Sequence, residues 1–146
     1  MELVHHGTKK FDIKCFDEIQ NDNWIKPKGG LWTSPVNSEW GWKDWCEGES
    51  FRLSALKVKN RIILKEDANL LIVDSYDDLT KIPFIKIDPK ISFVNAIDFE
   101  KLVKKYDGMW LTIKGERETR YSRPLSLYGW DCETVLLFNK HCFKTI

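Results

Sequence analysis

Three short segments of this 146-residue chain bring together residue types suited to a flat, hydroxylated ligand. Leu3-Val4-His5-His6-Gly7-Thr8 leads two apolar strand formers into a histidine, a glycine and a hydroxyl. A strand ending in this way lets a ring lie against the Gly7 backbone while His6 and Thr8 supply side-chain hydrogen bonds. Of the two histidines, His6 is preferred because the glycine follows it directly. Leu31-Trp32-Thr33 emerges from the punctuating run Lys26-Pro27-Lys28-Gly29-Gly30 and is closed by Ser34-Pro35, which predicts a short strand carrying an aromatic face. Glu133 stands at the head of the apolar run Thr134-Val135-Leu136-Leu137-Phe138, where a carboxylate is costly to bury unless it is paired or used. If the three strand ends converge on one cleft, Trp32 would stack on a ring and His6 would bond a ribose hydroxyl. Glu133 would hold a second hydroxyl while positive charge develops at the sugar carbon.

The elements that must position these residues are mostly strands. Residues 9–28 read as a loop with one helical turn near Asp17 to Gln20, because Phe11, Phe16, Ile19 and Trp24 follow neither period. Ser38 is placed to cap a helix over Glu39 to Glu47, with Trp42 and Trp45 on one face, Trp40 turned away and an unfavourable Gly41 inside. Phe51 to Val58 alternates at period two and predicts a strand, as do Ile62-Ile63-Leu64 and Leu70-Leu71-Ile72-Val73. Asp77 to Lys81 predicts a short helical turn before Pro83. Asn95 is placed to cap a helix over Ala96 to Tyr106, with Ile97, Leu102, Val103 and Tyr106 buried and Gly108 as its stop. Met109 to Ile113 predicts a strand, Gly115 to Trp130 a polar connection, and Cys132 to Phe138 the last long strand. Strands in runs with a few helices give an α+β fold, here expected as one domain over 1–146, without repeat or linker.

Composition removes several alternatives. With 42% hydrophobic residues the chain can bury a core, and 23 basic against 22 acidic residues leave a charge of +1, so no global field argues for nucleic acid or membrane. Cys15, Cys46, Cys132 and Cys142 are separated by 31, 86 and 10 residues, which fits neither a CxxC pair nor a zinc-ligand pattern, so free thiols and no metal are expected. No stretch of 18 apolar residues and no leader-like start is present, which predicts a soluble, cytoplasmic protein of the producing or infected cell. Four of the seven tryptophans, Trp32, Trp40, Trp42 and Trp45, fall within 14 residues, a density that fits a flat-ligand pocket or an aromatic core.

In this order, His6-Gly7-Thr8, Gly29-Gly30-Leu31-Trp32-Thr33-Ser34 and Glu133-Thr134-Val135-Leu136-Leu137-Phe138 resemble the three signature segments of ADP-ribosyltransferases. The closer branch is the His-Tyr-Glu one, of diphtheria-type toxins and poly(ADP-ribose) polymerases. Tyr106 to Leu111 resembles the helix-to-strand step of small members of that fold. The resemblance implies a split, mostly antiparallel β core with NAD+ as co-substrate in its cleft. His6 would then bind the nicotinamide-side ribose, the Gly7 backbone would clamp the carboxamide, and Trp32 would stack on nicotinamide where that branch has tyrosine. Thr33 or Ser34 would support the carboxamide or His6, Trp45 or Tyr76 would be the second aromatic, and Arg52 would meet the pyrophosphate. Glu133 would stabilise the transition state as nicotinamide leaves. Asp131, two residues before it, would orient the acceptor, and Arg117, Arg120 and Arg123 would face an acidic protein or a nucleic-acid backbone. The implied activity is mono-ADP-ribosyl transfer to a macromolecule, most simply a protein, as in phage and bacterial effectors. NAD+ hydrolysis in the same cleft and a non-catalytic module for NAD+ or ADP-ribose ligands are the alternatives.

Overall fold

A computed structural model describes residues 1–22, 25–91 and 94–146. Trp24, part of the irregular loop expectation, lies outside the described residues. Nine strands form among the described residues: β1 (Glu2–Gly7), β2 (Leu31–Pro35), β3 (Val58–Leu64), β4 (Leu70–Val73), β5 (Phe84–Ile85), β6 (Ala96–Ile97), β7 (Gly108–Leu111), β8 (Thr134–Leu137) and β9 (Phe143–Thr145). Four short helices accompany them, α1 (Trp42–Gly48), α2 (Tyr76–Thr80), α3 (Phe99–Leu102) and α4 (Ile113–Thr119). The fold is α+β. Seven strands make one mixed sheet in the order β4-β7-β8-β2-β1-β3-β9, while β5 and β6 pair separately. Only β4 and β7 run parallel within the large sheet.

Each face of the sheet carries its own apolar cluster, as the two-residue alternation of strands requires. Leu3, Leu31, Ile62, Val135, Leu137 and Phe143 meet on one side. Val73, Leu79, Phe99, Met109, Leu111, Leu136 and Trp130 meet on the other, under the helices. β8 is buried at every position, so the strand that Glu133 leads into is the centre of the molecule.

Several expected elements change at their ends, and the causes are local hydrogen bonds. The helical turn expected near Asp17 forms instead at Ile13–Cys15, where the Asp12 side chain accepts from the Lys14 N–H. Gln20 pairs with Lys28 across a β-bridge. The helix expected over Glu39 to Glu47 begins only at Trp42, because Ser38 closes a turn by accepting the Trp40 N–H and the Asp44 carboxylate accepts the Gly41 N–H at the true start. Trp42 and Trp45 share a face of the helix and stack at 5.2 Å. No strand runs over Phe51 to Val58. Ser50 and Arg52 adopt left-handed backbone at φ 53° and 46°, which breaks extension, and Leu53–Leu56 is a 3₁₀ turn. The strand starts at Val58 and runs through to Leu64.

The helix expected over Ala96 to Tyr106 shrinks to Phe99–Leu102. Asp98 caps it by accepting the Lys101 N–H, whereas Asn95 accepts from Ile87 N–H and leaves Ala96-Ile97 free to pair with β5. Gly108 opens β7 instead of stopping a helix. Thr112 ends β7 by accepting the Gly115 N–H, so Ile113 enters α4, a helix within the segment expected to be a polar connection. β8 is four residues long, and β9 was not anticipated. Among the described residues no helix is long and apolar enough to cross a membrane, and no group of three or more His, Cys, Asp or Glu side chains could hold a metal ion.

All four cysteines are free thiols. Burial pushes Cys132 and Cys142 up to about 11 and raises Cys46, which keeps these thiols protonated and slow. Ellman titration at pH 8 should therefore label the exposed Cys15 promptly and the other three only on addition of denaturant. Rapid native labelling of more than one thiol would contradict this packing.

Candidate functional site

Within the one seven-stranded sheet, β1 and β2 pair and then split apart beyond Val4. The two strands pair only at Leu3 with Pro35 and Val4 with Ser34, whereas β1 stays paired with β3 as far as Gly7 with Val58. Past Val4 the gap is bridged by a side chain: His5 Nδ1 lies 2.8 Å from the Trp32 carbonyl oxygen. The Glu2 carbonyl accepts from Val36 N–H on the β2 side, so the alternation of an antiparallel strand points the main-chain groups of His6 into the gap and those of Gly7 toward β3. The backbone available to a ligand here is that of His6, not the Gly7 backbone expected from sequence.

A cavity of about 260 Å³ opens at this split. Of the expected site residues His6, Trp32, Thr33, Ser34 and Arg52 line it, together with Trp42 and Lys26. A second pocket of about 350 Å³ shares Val4, His6, Ser34 and Trp42 with the first and adds Lys43, Lys59, Arg61 and Asp44. His6 thus stands between an aromatic cavity and a basic trough. The ladder partner of His6 is Lys59. This residue was missed because the expected strand stopped at Val58; continued period-two alternation through Asn60, Ile62 and Leu64 was the signal that would have placed Lys59 outward beside His6.

His6 Nδ1 is buried without a hydrogen-bond partner. Burial first, then the charges of Lys59, His5 and Lys43, hold the His6 pKa below its ordinary 6.5, against a smaller opposing influence of Asp44. With Nδ1 buried and unpartnered, Nε2 is the ring nitrogen left to meet a ligand oxygen. Because the unfolded chain takes up a proton at His6 before the folded one does, this residue removes stability as pH falls through the ordinary histidine value and contributes no loss above it. Histidine NMR titration should place the His6 midpoint below the ordinary histidine value of 6.5; a midpoint at or above it would refute the neutral assignment.

Trp32 already has two neighbours at its ring. Trp130 packs against it with ring centroids 4.8 Å apart and a 56° tilt, and Lys26 Nζ sits 5.7 Å from the ring centroid. Thr33 and Ser34 are tied to β8, since Thr33 Oγ1 donates to the Val135 carbonyl at 2.6 Å and Ser34 Oγ to that of Glu133 at 2.9 Å. They brace the wall between β2 and β8. Arg52, in its left-handed conformation, brings its guanidinium side chain to the cavity from the 3₁₀ turn.

Glu133 is buried, but its carboxylate does not line the cavity; its neighbours Cys132 and Thr134 do. Glu133 Oε1 accepts from Trp110 Nε1 at 2.9 Å, on the side of the sheet where Trp110 packs with Val135 and Leu137. Three-segment adjacency is present, since β8, β2 and β1 are consecutive in the sheet, yet the acid and the histidine are not brought together. Gly7 and Thr8 also lie off the cavity wall. Trp45 stacks on Trp42 behind the wall, and the Tyr76 hydroxyl donates to the Arg123 carbonyl, so neither is a second aromatic of the cavity. Asp131 is engaged by Arg120, whose guanidinium also bonds Glu116; the Glu116 bond first, then the Tyr121 hydroxyl and the Asp131 charge, raise the Arg120 pKa further. Arg117 is exposed on α4 and Arg123 exposed on the loop after it.

Comparison with family models, with curated proteins and with solved structures returns no match for this chain.

Proposed function

We propose that this protein binds NAD+ at the split between β1 and β2 and transfers its ADP-ribose to a macromolecular acceptor, most simply a protein. The observation that supports this reading is the split itself. It exposes the main chain of His6 beside a neutral imidazole and an aromatic wall, and it opens into a basic trough. Nicotinamide and its ribose fit the size of the aromatic cavity, and Lys43, Lys59 and Arg61 suit the anionic remainder of the dinucleotide. His6 Nε2–H would donate to a ribose hydroxyl.

A second reading is favoured by one specific observation, the Glu133 carboxylate held by Trp110 away from the cavity. With that geometry the cleft binds NAD+ or ADP-ribose without accelerating loss of nicotinamide. The two readings separate in one experiment: titrate NAD+ by tryptophan fluorescence, follow free nicotinamide in a host-cell lysate, and search macromolecules for ADP-ribose by mass spectrometry. His6→Ala should weaken binding about tenfold under both readings, the worth of one net hydrogen bond. Under transfer, Glu133→Gln should cut nicotinamide release by about 100-fold or more with binding unchanged, because it removes charge that acts in the transition state. Binding without any release, unaffected by Glu133→Gln, would establish the binding module. Nicotinamide without labelled product would point to hydrolysis, and absence of NAD+ binding would end both readings.

A further inference from the structure

Strand β4 carries a second surface, apart from the cleft. It is the last strand at its end of the sheet. The Asn69 and Val73 carbonyls accept from Asp107 and Thr112 N–H groups on the β7 side, so the alternation turns the main-chain groups of Leu70 and Ile72 outward. The strand itself, Leu70-Leu71-Ile72-Val73, contains no charge, proline or bulge, the devices that keep an open edge from pairing. Ile72 is 48% exposed.

A groove of about 600 Å³ includes Leu71 and Ile72 of this strand in its lining. Leu71, Ile72 and Pro83 supply its apolar wall, and Lys81, Lys101, Lys104 and Lys105 surround it. Lys81 and Lys101 are paired with Asp77 and Asp98, whereas Lys104 and Lys105 have no ion-pair partner among the described residues. The single carboxylate in the lining, Asp78, is committed to the Asp74 N–H and the Ser75 hydroxyl.

We propose that this edge captures an extended acidic peptide, which pairs with the main chain of Leu70 and Ile72 as an added strand while its carboxylates meet the lysines. Charge selects this occupant. A second copy of the chain would set the same lysines against one another across a two-fold axis, and a nucleic acid has no strand backbone to complete the ladder. The surface serves recruitment of a partner whatever the cleft does.

The test uses the whole protein, isotope-labelled, titrated with the blocked hexapeptide Glu-Val-Glu-Val-Glu-Val and with its lysine counterpart while amide shifts are followed. The acidic peptide should move the amides of Leu70 to Val73 and of Lys101 to Tyr106, and the lysine peptide should not. Lys104→Glu combined with Lys105→Glu, with an otherwise native spectrum, should weaken the acidic peptide about tenfold, as expected for two exposed charge pairs. The proposal fails if β4 amides do not respond, if the lysine peptide binds equally, or if charge reversal leaves affinity unchanged. It also fails if the protein self-associates through β4 without peptide.

Discussion

Replacing Trp130 by alanine should cost about 4 kcal/mol of folding stability and lower the melting temperature by roughly 10 °C. Trp130 is 1% exposed and lies where three parts of the chain meet. Its ring lies 4.8 Å from that of Trp32 on β2 and is nearly parallel to that of Phe99 on α3, with centroids 6.2 Å apart and 7° between planes. Its indole Nε1 donates to the Ile25 carbonyl at 3.2 Å, closing the loop that carries Lys26. Truncation leaves a cavity against rings that cannot collapse, and it frees a carbonyl of its donor. Urea unfolding reports the change directly, with an unaltered m-value as the sign that the native fold survives. A loss below about 1.5 kcal/mol would mean that the aromatic cluster is filler and not an anchor. Because Trp130 backs the cavity wall, the same variant should also broaden the Trp32 side-chain signals.

Gly29→Ala should destabilise by about 3 kcal/mol, an effect out of proportion to one methyl group. Gly29 has φ +77°, a backbone region that side chains avoid, and a Cβ there would stand 2.1 Å from the Glu18 carbonyl oxygen. Gly30 follows at φ +70°, its would-be Cβ within 2.8 Å of Leu136 Cδ1 and the Leu137 carbonyl. The pair turns the chain tightly under residues 17–19 and delivers Leu31 and Trp32 into β2, where the Gly30 N–H donates to the Asp17 carbonyl at 2.8 Å. The Gly29 clash is with backbone, which no side-chain rotation relieves, so the turn must reopen. Chemical denaturation of the variant checks this, and a change under 1 kcal/mol would show that the turn relaxes freely.

The segments that organise the site were legible where their signals were covalent or periodic. Gly29-Gly30 marked the turn, the β-formers before His6 marked β1, and the apolar run after Glu133 marked β8. Their mutual placement follows from the order β8-β2-β1 within the sheet, which no spacing along the chain encodes. What misled was competition among short polar side chains. Asp98, not Asn95, caps α3, and Thr112 turns an expected strand end into a helix start. Each offers an oxygen that suits a cap, and only tertiary packing decides which is used. The Phe51 to Val58 alternation was real in sequence but had no neighbouring strand, and the left-handed residues Ser50 and Arg52 carry it away from the sheet. The direction of the Glu133 carboxylate was not legible at all, since it follows from Trp110, a residue 23 positions earlier on another strand.

The central position of β8 also sets a clock on synthesis. Thr33 and Val135, joined by a hydroxyl-to-carbonyl hydrogen bond, are 102 residues apart in the chain. At ribosomal speeds of about 5–20 residues per second, β2 therefore waits about 5–20 s for its partner. Once β3 is made, β1, β2 and β3 can assemble as a three-stranded sheet, but the edge of β2 that belongs to β8 stands open, with Leu31 and Trp32 unprotected. Newly made chains are thus exposed to mispairing until β8 is synthesised, and helper proteins that shield nascent strands should raise the yield of folded molecules more than they would for a fold whose neighbouring strands are made in succession.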